Sequence, residues 1–144
     1  MTSPVRLAIV GAQGRMGQRL VALGEADPRF EIAATIDAGG DPLDACSAAT
    51  VDAVIDFSVR EQAVQTAVFC MTSGIPLVLG TTGLSGAEKA DIATAARSVP
   101  MVMAPNFSVG VNALFALAAQ ATPMLGEGVD IEVVEAHHRR KVDA

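Results

Sequence analysis

The chain has 144 residues, enough for one domain with a substantial core, and a formal net charge of -6. Hydrophobic residues make up 51% and charged residues 18%, which excludes a disordered chain. The acidic balance and the lack of Trp and Tyr argue against a general nucleic-acid binder.

No apolar run approaches the roughly 18 residues needed to span a bilayer. Met1 to Pro4 leads straight into a strand-like segment, with no signal peptide. A cytoplasmic protein with no membrane partner is expected. Cys46 and Cys70 are far apart and form no CxxC, so they are expected as core thiols in a reducing compartment, with no metal site.

Val5 to Val10 is an apolar run broken only by Arg6, and predicts a buried strand. A glycine-rich turn, Gly11 to Gly17, follows. Gln18 to Leu23 then predicts a helix ending near Gly24. Glu31 to Ile36 predicts a second strand with Asp37 at its end, and residues 41–50 are weakly patterned. Ala53 to Asp56 is the third strand. Ser58 to Glu61 matches a capping box for a helix from about Val59 to Met71, stopped by Gly74. Ile75 to Leu79 is the fourth strand. Ser85 to Glu88 is a second capping box, opening a helix to about Arg97, and Val99 to Met103 is the fifth strand. Asn112 to Leu125 predicts an Ala/Leu-rich helix, broken by Gly126 and Gly128, and Asp130 to Ala136 alternates like a strand. Strands alternating with helices imply right-handed crossovers and a parallel sheet covered on both faces. The expected fold class is α/β, a Rossmann-like doubly wound sheet.

Gly11-Ala12-Gln13-Gly14-Arg15-Met16-Gly17 lies between strand and helix. Missing β-carbons permit a tight turn and close approach of a pyrophosphate, and the helix N-terminus supplies unpaired N–H groups. Asp37, about 20 residues on, is placed to accept hydrogen bonds from an adenosine ribose. An acidic residue there favours NADH. Arg15 could reach a 2′-phosphate, so NADPH stays an alternative. Ligands in such sheets bind beyond the C-terminal strand ends. Three more loops lie there: Asp56-Phe57-Ser58, Gly80-Thr81-Thr82-Gly83, and Ala104-Pro105-Asn106-Phe107-Ser108. Gly and Thr can offer groups to a carboxamide, and Phe107 can pack near a ring.

Glu135 to Lys141 holds both histidines, His137 and His138, with Arg139, Arg140 and Lys141, in an otherwise acidic chain. Such a run is either a solvated tail or a site for an anionic substrate, with His as proton donor or orienter and Lys as donor.

Taken together, Val10 to Gly17, Val54 to Ser58, Gly80 to Gly83, Ala104 to Asn112 and Glu135 to Ala144 resemble the motifs of the 4-hydroxy-tetrahydrodipicolinate (dihydrodipicolinate) reductase family. The resemblance implies a dinucleotide-binding domain over residues 1–107 and, over 108–144, the start of a second α+β domain for substrate binding and homotetramer formation. It implies that Gly11, Ala12, Gln13, Gly14, Arg15, Met16 and Gly17 hold the pyrophosphate and Asp37 the ribose. Gly80, Thr81, Thr82, Ala104, Pro105, Asn106 and Phe107 would hold the nicotinamide end. The substrate would be a small dicarboxylate, with His137 as acid/base residue, Lys141 as proton donor and His138 on a substrate carboxylate. The family continues past this point with a Pro-Ser-Gly-Thr segment that binds substrate. A C-terminally truncated chain is therefore expected, with the strand near Asp130 left as an exposed edge. Residues 39–51 are also shorter than in many members. A catalytically silent NAD(H)-binding fragment is the alternative function. The cationic cluster argues against a third reading, a dehydrogenase for an amino acid or sugar.

Overall fold

The computed structural model describes residues 3–37, 39–41, 46, 50–134 and 136. The apolar run Val5–Val10 forms β1, and the glycine-rich turn leads into helix α1, Arg15–Ala26. Phe30–Ile36 is β2, Ala53–Asp56 is β3, Arg60–Ser73 is α2 and Leu77–Leu79 is β4. Gly86–Ala95 is α3, Met101–Met103 is β5 and Val109–Leu125 is α4. The five strands form one parallel sheet in the order β2-β1-β3-β4-β5.

The period-2 alternation of a strand sends neighbouring side chains to opposite faces. Ala8, Val10, Val54, Leu77 and Leu79 point to one face, against Ala63, Ala67 and Cys70 of α2 and Ile92 and Ala95 of α3. Leu7 and Ile9 point to the other, against Leu20 and Val21 of α1. The sheet is therefore wound on both sides, a Rossmann-like architecture. Beyond α1, the second face leaves Ala53, Ile55 and Val78 only half-buried, along an apolar groove of about 650 Å³.

The chain divides into two compact units, Met1–Pro105 and Asn106–Ala144. The second contains α4, whose N-cap Ser108 accepts a hydrogen bond from the Val111 N–H at 3.4 Å. No residue of α4 is buried, and Leu114, Leu117 and Leu125 are each at least 60% exposed. None of the described helices is long and apolar enough to cross a membrane.

Several expected boundaries shift for physical reasons. Helix α1 starts earlier than Gln18 and runs through Gly24. Gly24 does not stop it but lets it approach β2, since a β-carbon there would lie 2.5 Å from Cδ1 of Ile32. Strands β4 and β5 begin after Pro76 and Pro100, which cannot donate to the ladder; their carbonyls accept from Val54 and Leu77 instead. Helix α3 ends at Ala95 rather than Arg97, and α4 begins at Val109 rather than Asn112. The capping box at Ser85 forms in full, with the Glu88 N–H on Ser85 Oγ and the Ser85 N–H on Glu88. The one expected at Ser58 does not: α2 is capped by Val59 without a side-chain bond, because the Ser58 hydroxyl donates to Asp56 at 2.6 Å. Residues 130–134 and 136 do not form the expected strand. A strand exists only through ladder bonds to a neighbour, and these residues pair with none among the described residues. The β part of the second α+β domain is thus not seen there.

Candidate functional site

The chain leaves β1 through Gly11 at φ +79°, a conformation that an L side chain rarely adopts. The Gly11 N–H donates to the Ile36 carbonyl at 2.7 Å, tying the turn to the end of β2. Gly17, in the first turn of α1, lies so close to the Gly11 carbonyl that no β-carbon fits between them. The N-cap Gly14 makes no side-chain cap, and the first turn carries no acidic residue. The leading amides of α1 thus keep their partial positive charge for an anion.

Across this turn stands Asp37. Its carboxylate accepts from the Gln13 N–H at 2.7 Å through Oδ1, and Oδ2 accepts no such bond among the described residues. Gly11, Gln13, Gly14 and Asp37 line a cavity of about 500 Å³ whose far wall is Phe57, Ser58, Val59 and Gln62. The sheet order places this cavity between the ends of β1 and β3, where the chain reverses its direction of winding. A second cavity, of about 300 Å³, opens at the ends of β4 and β5. Thr81, Thr82, Gly83 and Leu84 line one side, Met103, Ala104 and Pro105 another, and Lys89 of α3 a third. A larger hollow of about 670 Å³ extends from Gln62 past Gly39, Gly40 and Asp41.

The residues expected to act together are thus distributed as follows. Gly11, Gln13, Gly14 and Asp37 meet at the first cavity. Ala12 is buried beneath the turn, Arg15 and Met16 are exposed in the first turn of α1, and Gly17 is buried. Thr81, Thr82, Ala104 and Pro105 meet at the second; Gly80 does not line it and packs against the Phe57 ring. Asn106 and Phe107 fall in the second unit, where Asn106 accepts from the Ser108 N–H at 2.7 Å. His137, His138 and Lys141 lie outside the described residues. The Asp56-Phe57-Ser58 loop lies at a strand end as expected, whereas the parts of Gln62 and Lys89 were not foreseen. Gln62 and Lys89 are ordinary helix residues whose facing only the fold reveals.

The two cysteines are free and buried. Burial pushes the Cys70 thiol up to about 12, helped by Cys46 and Asp56 nearby, and burial raises Cys46 as well.

Residues 5–107 match the family described as dihydrodipicolinate reductase, N-terminus, and residues 110–144 match its C-terminus. The chain belongs to the dihydrodipicolinate reductase family. A 4-hydroxy-tetrahydrodipicolinate reductase from Alkalilimnicola ehrlichii is 45% identical, over 96% of this chain and 60% of its own length. The enzyme of that name from Rhodopirellula baltica is 41% identical, over 99% of this chain and 60% of its own. This member of the family therefore spans about 60% of the length of the curated relatives it matches. Among solved structures, a dipicolinate-bound dihydrodipicolinate reductase from Paenisporosarcina sp. TG-14 shares the fold. It has a TM-score of 0.71 and 22% identity, over 83% of this chain and 54% of that one. A myo-inositol 2-dehydrogenase from Lactobacillus plantarum also superposes, with a TM-score of 0.65 at 15% identity, over 86% of this chain and 43% of its own.

Proposed function

We propose that the chain binds NADH, with NADPH as the weaker partner, across the C-terminal edge of its sheet. As part of the whole reductase it would reduce 4-hydroxy-tetrahydrodipicolinate to tetrahydrodipicolinate with loss of water. The observation that carries the reading is the first cavity: glycines on one wall, an acidic residue on the next strand end, and an uncapped helix N-terminus between them. These groups fit a dinucleotide. Gly11 and Gly14 put no β-carbon in the way of a pyrophosphate, and the leading amides of α1, without a side-chain cap, are there to bind it. Asp37 has one oxygen held by Gln13 and one to accept from a ribose hydroxyl. Among the described residues no cation pairs with Asp37 to neutralise it, so a 2′-phosphate would meet its charge.

When bound, the reduced nicotinamide supplies a hydride to the substrate ring. The chain's own residues orient and screen that event. Thr81, Thr82, Ala104 and Pro105 form the polar and apolar sides of the second cavity, with Asn106 and Phe107 following in sequence. His137 would exchange a proton with the substrate, Lys141 would donate one, and His138 would contact a carboxylate. The setting proposed is the cytoplasm and the assembly a homotetramer.

The test is to titrate the purified chain with NADH and follow nicotinamide fluorescence, then add the substrate and follow absorbance. Saturable binding with turnover supports the whole reading. Binding without turnover leaves the cofactor assignment standing and removes the catalytic one for this chain. No binding refutes both.

A further inference from the structure

The carboxylate of Asp56 is fully buried at the end of β3, the central strand of the sheet. Three donors converge on its Oδ1: the Ser58 N–H at 2.8 Å, the Ser58 hydroxyl at 2.6 Å and the Thr81 hydroxyl at 3.1 Å. Oδ2 has no hydrogen-bond partner among the described residues. A buried carboxylate with one oxygen unsatisfied and no ion pair among the described residues is costly to fold. Its bonds join two separate crossovers, the β3–α2 loop and the β4–α3 loop.

The backbone reinforces the same junction. The Phe57 N–H donates to the Val10 carbonyl at 3.1 Å, directly before the glycine turn, and the Gly80 N–H donates to the Asp56 carbonyl at 2.8 Å. The Phe57 ring fills the space where a β-carbon of Gly80 would stand, and the Phe57 carbonyl occupies that of Gly11, 2.7 Å from its ideal position. One tripeptide thus touches both cavities: Phe57 and Ser58 line the first, and Asp56 fixes Thr81, which lines the second.

We propose that Asp56 is a positioning residue that sets the height of the Thr81–Thr82 loop, and so the fit of the nicotinamide half of the cofactor. It touches no ligand itself and acts through the Thr81 hydroxyl. This deepens the cofactor reading and rests on it.

The ligand pair that separates a local action from general damage is NADH and ADP-ribose, which lacks the nicotinamide. Losing a hydrogen bond to a charged group should weaken NADH about tenfold in Thr81→Val and Asp56→Ala, and ADP-ribose less than about twofold. Thr81→Ser, which keeps the hydroxyl, and Asp56→Asn, which keeps the acceptor, should recover NADH to within about threefold of the parent. Should Asp56→Ala fail to fold, Asp56→Asn and its double variant with Thr81→Val decide the matter: any NADH loss in Asp56→Asn should vanish in the Thr81→Val background, and a loss that adds in full would overturn the proposal. Equal losses for both ligands, no loss for either, or a Thr81→Ser defect as large as that of Thr81→Val would overturn the proposal while leaving the cofactor site intact. A parent chain that binds neither ligand would instead bring down the cofactor reading and this inference with it, a result visible before any substitution.

Discussion

Replacing a helical glycine by alanine ordinarily stabilises a helix by about 1 kcal/mol. At Gly17 the opposite is expected. The new methyl would overlap the Gly11 carbonyl oxygen and stand 2.6 Å from Ala12 Cα and 2.7 Å from the Gly11 carbonyl carbon. Carbon pairs rest at about 3.5–4.0 Å, so the gap must open by roughly 1 Å. All three obstacles are backbone, with no rotamer to give way. Overpacking of this kind costs about 1–3 kcal/mol or more, enough to outweigh the propensity gain. We expect Gly17→Ala to lose about 2 kcal/mol net, a fall in Tm of about 4–8 °C for a chain of this size. Urea unfolding at unchanged m would measure it. Two companions calibrate the scale. Gly24→Ala meets only the end of the Ile32 side chain, and should cost less. Gly86→Ala meets nothing within 4 Å, and should be neutral or mildly stabilising. Because the displaced groups are the turn itself, NADH binding should fail in Gly17→Ala and persist in Gly86→Ala. Equal stability and equal binding in these two variants would refute the steric argument.

Asp37→Ala should weaken NADH more than NADPH in a fluorescence titration; an equal loss would show that Asp37 is not the ribose partner. Ser85→Ala removes a formed capping box and should cost about 1 kcal/mol by urea unfolding. The two thiols should react slowly with a disulfide reagent at pH 8 in the native chain and rapidly in guanidinium. Since the folded Cys70 value is raised, its contribution to stability is full below the unfolded value near 9, and should decline as pH rises from there toward 12. At the acid end, hydrogen bonds from Arg29 lower Asp27 to about 2, and those from Arg6 lower Asp52. The stability these carboxylates give is present above the unfolded value of about 3.9 and is lost as pH falls below it. Asp27→Asn should therefore flatten the acid limb of a pH–stability curve, and an unchanged limb would count against the pairing.

What could be read in advance divides along physical lines. The strand before Gly11, the glycine turn and the acidic Asp37 depend on local pattern, and each stands where the sequence implied. The Ser85 cap was equally local. Ser58 carries the same spacing and behaved otherwise, because a buried carboxylate two residues earlier competes for its hydroxyl. That competition depends on Asp56 being inside. Alternation with Val54 hints at this, yet an acidic residue at a strand end usually reads as solvent-facing. Gly24 was misread because a glycine that ends a helix and one that lets a helix touch a sheet look alike in one sequence. Residues 130–134 have a strand's alternation and find no strand partner among the described residues, a property no local pattern encodes. At the site, the loops were legible as the ends of parallel strands. The side chains that α2 and α3 contribute, Gln62 and Lys89, depend on how each helix is rotated on the sheet.

The interlock of Phe57 with Gly80 limits how these two positions can drift. An alanine at 80 would force the phenyl ring at 57 to turn aside, and a smaller residue at 57 would leave a void beside the glycine. Each single step therefore carries a cost that the paired change avoids. A library that randomises the two codons jointly should recover paired replacements that saturation at either codon alone would miss, and this makes the pair the natural starting point for reshaping the pocket.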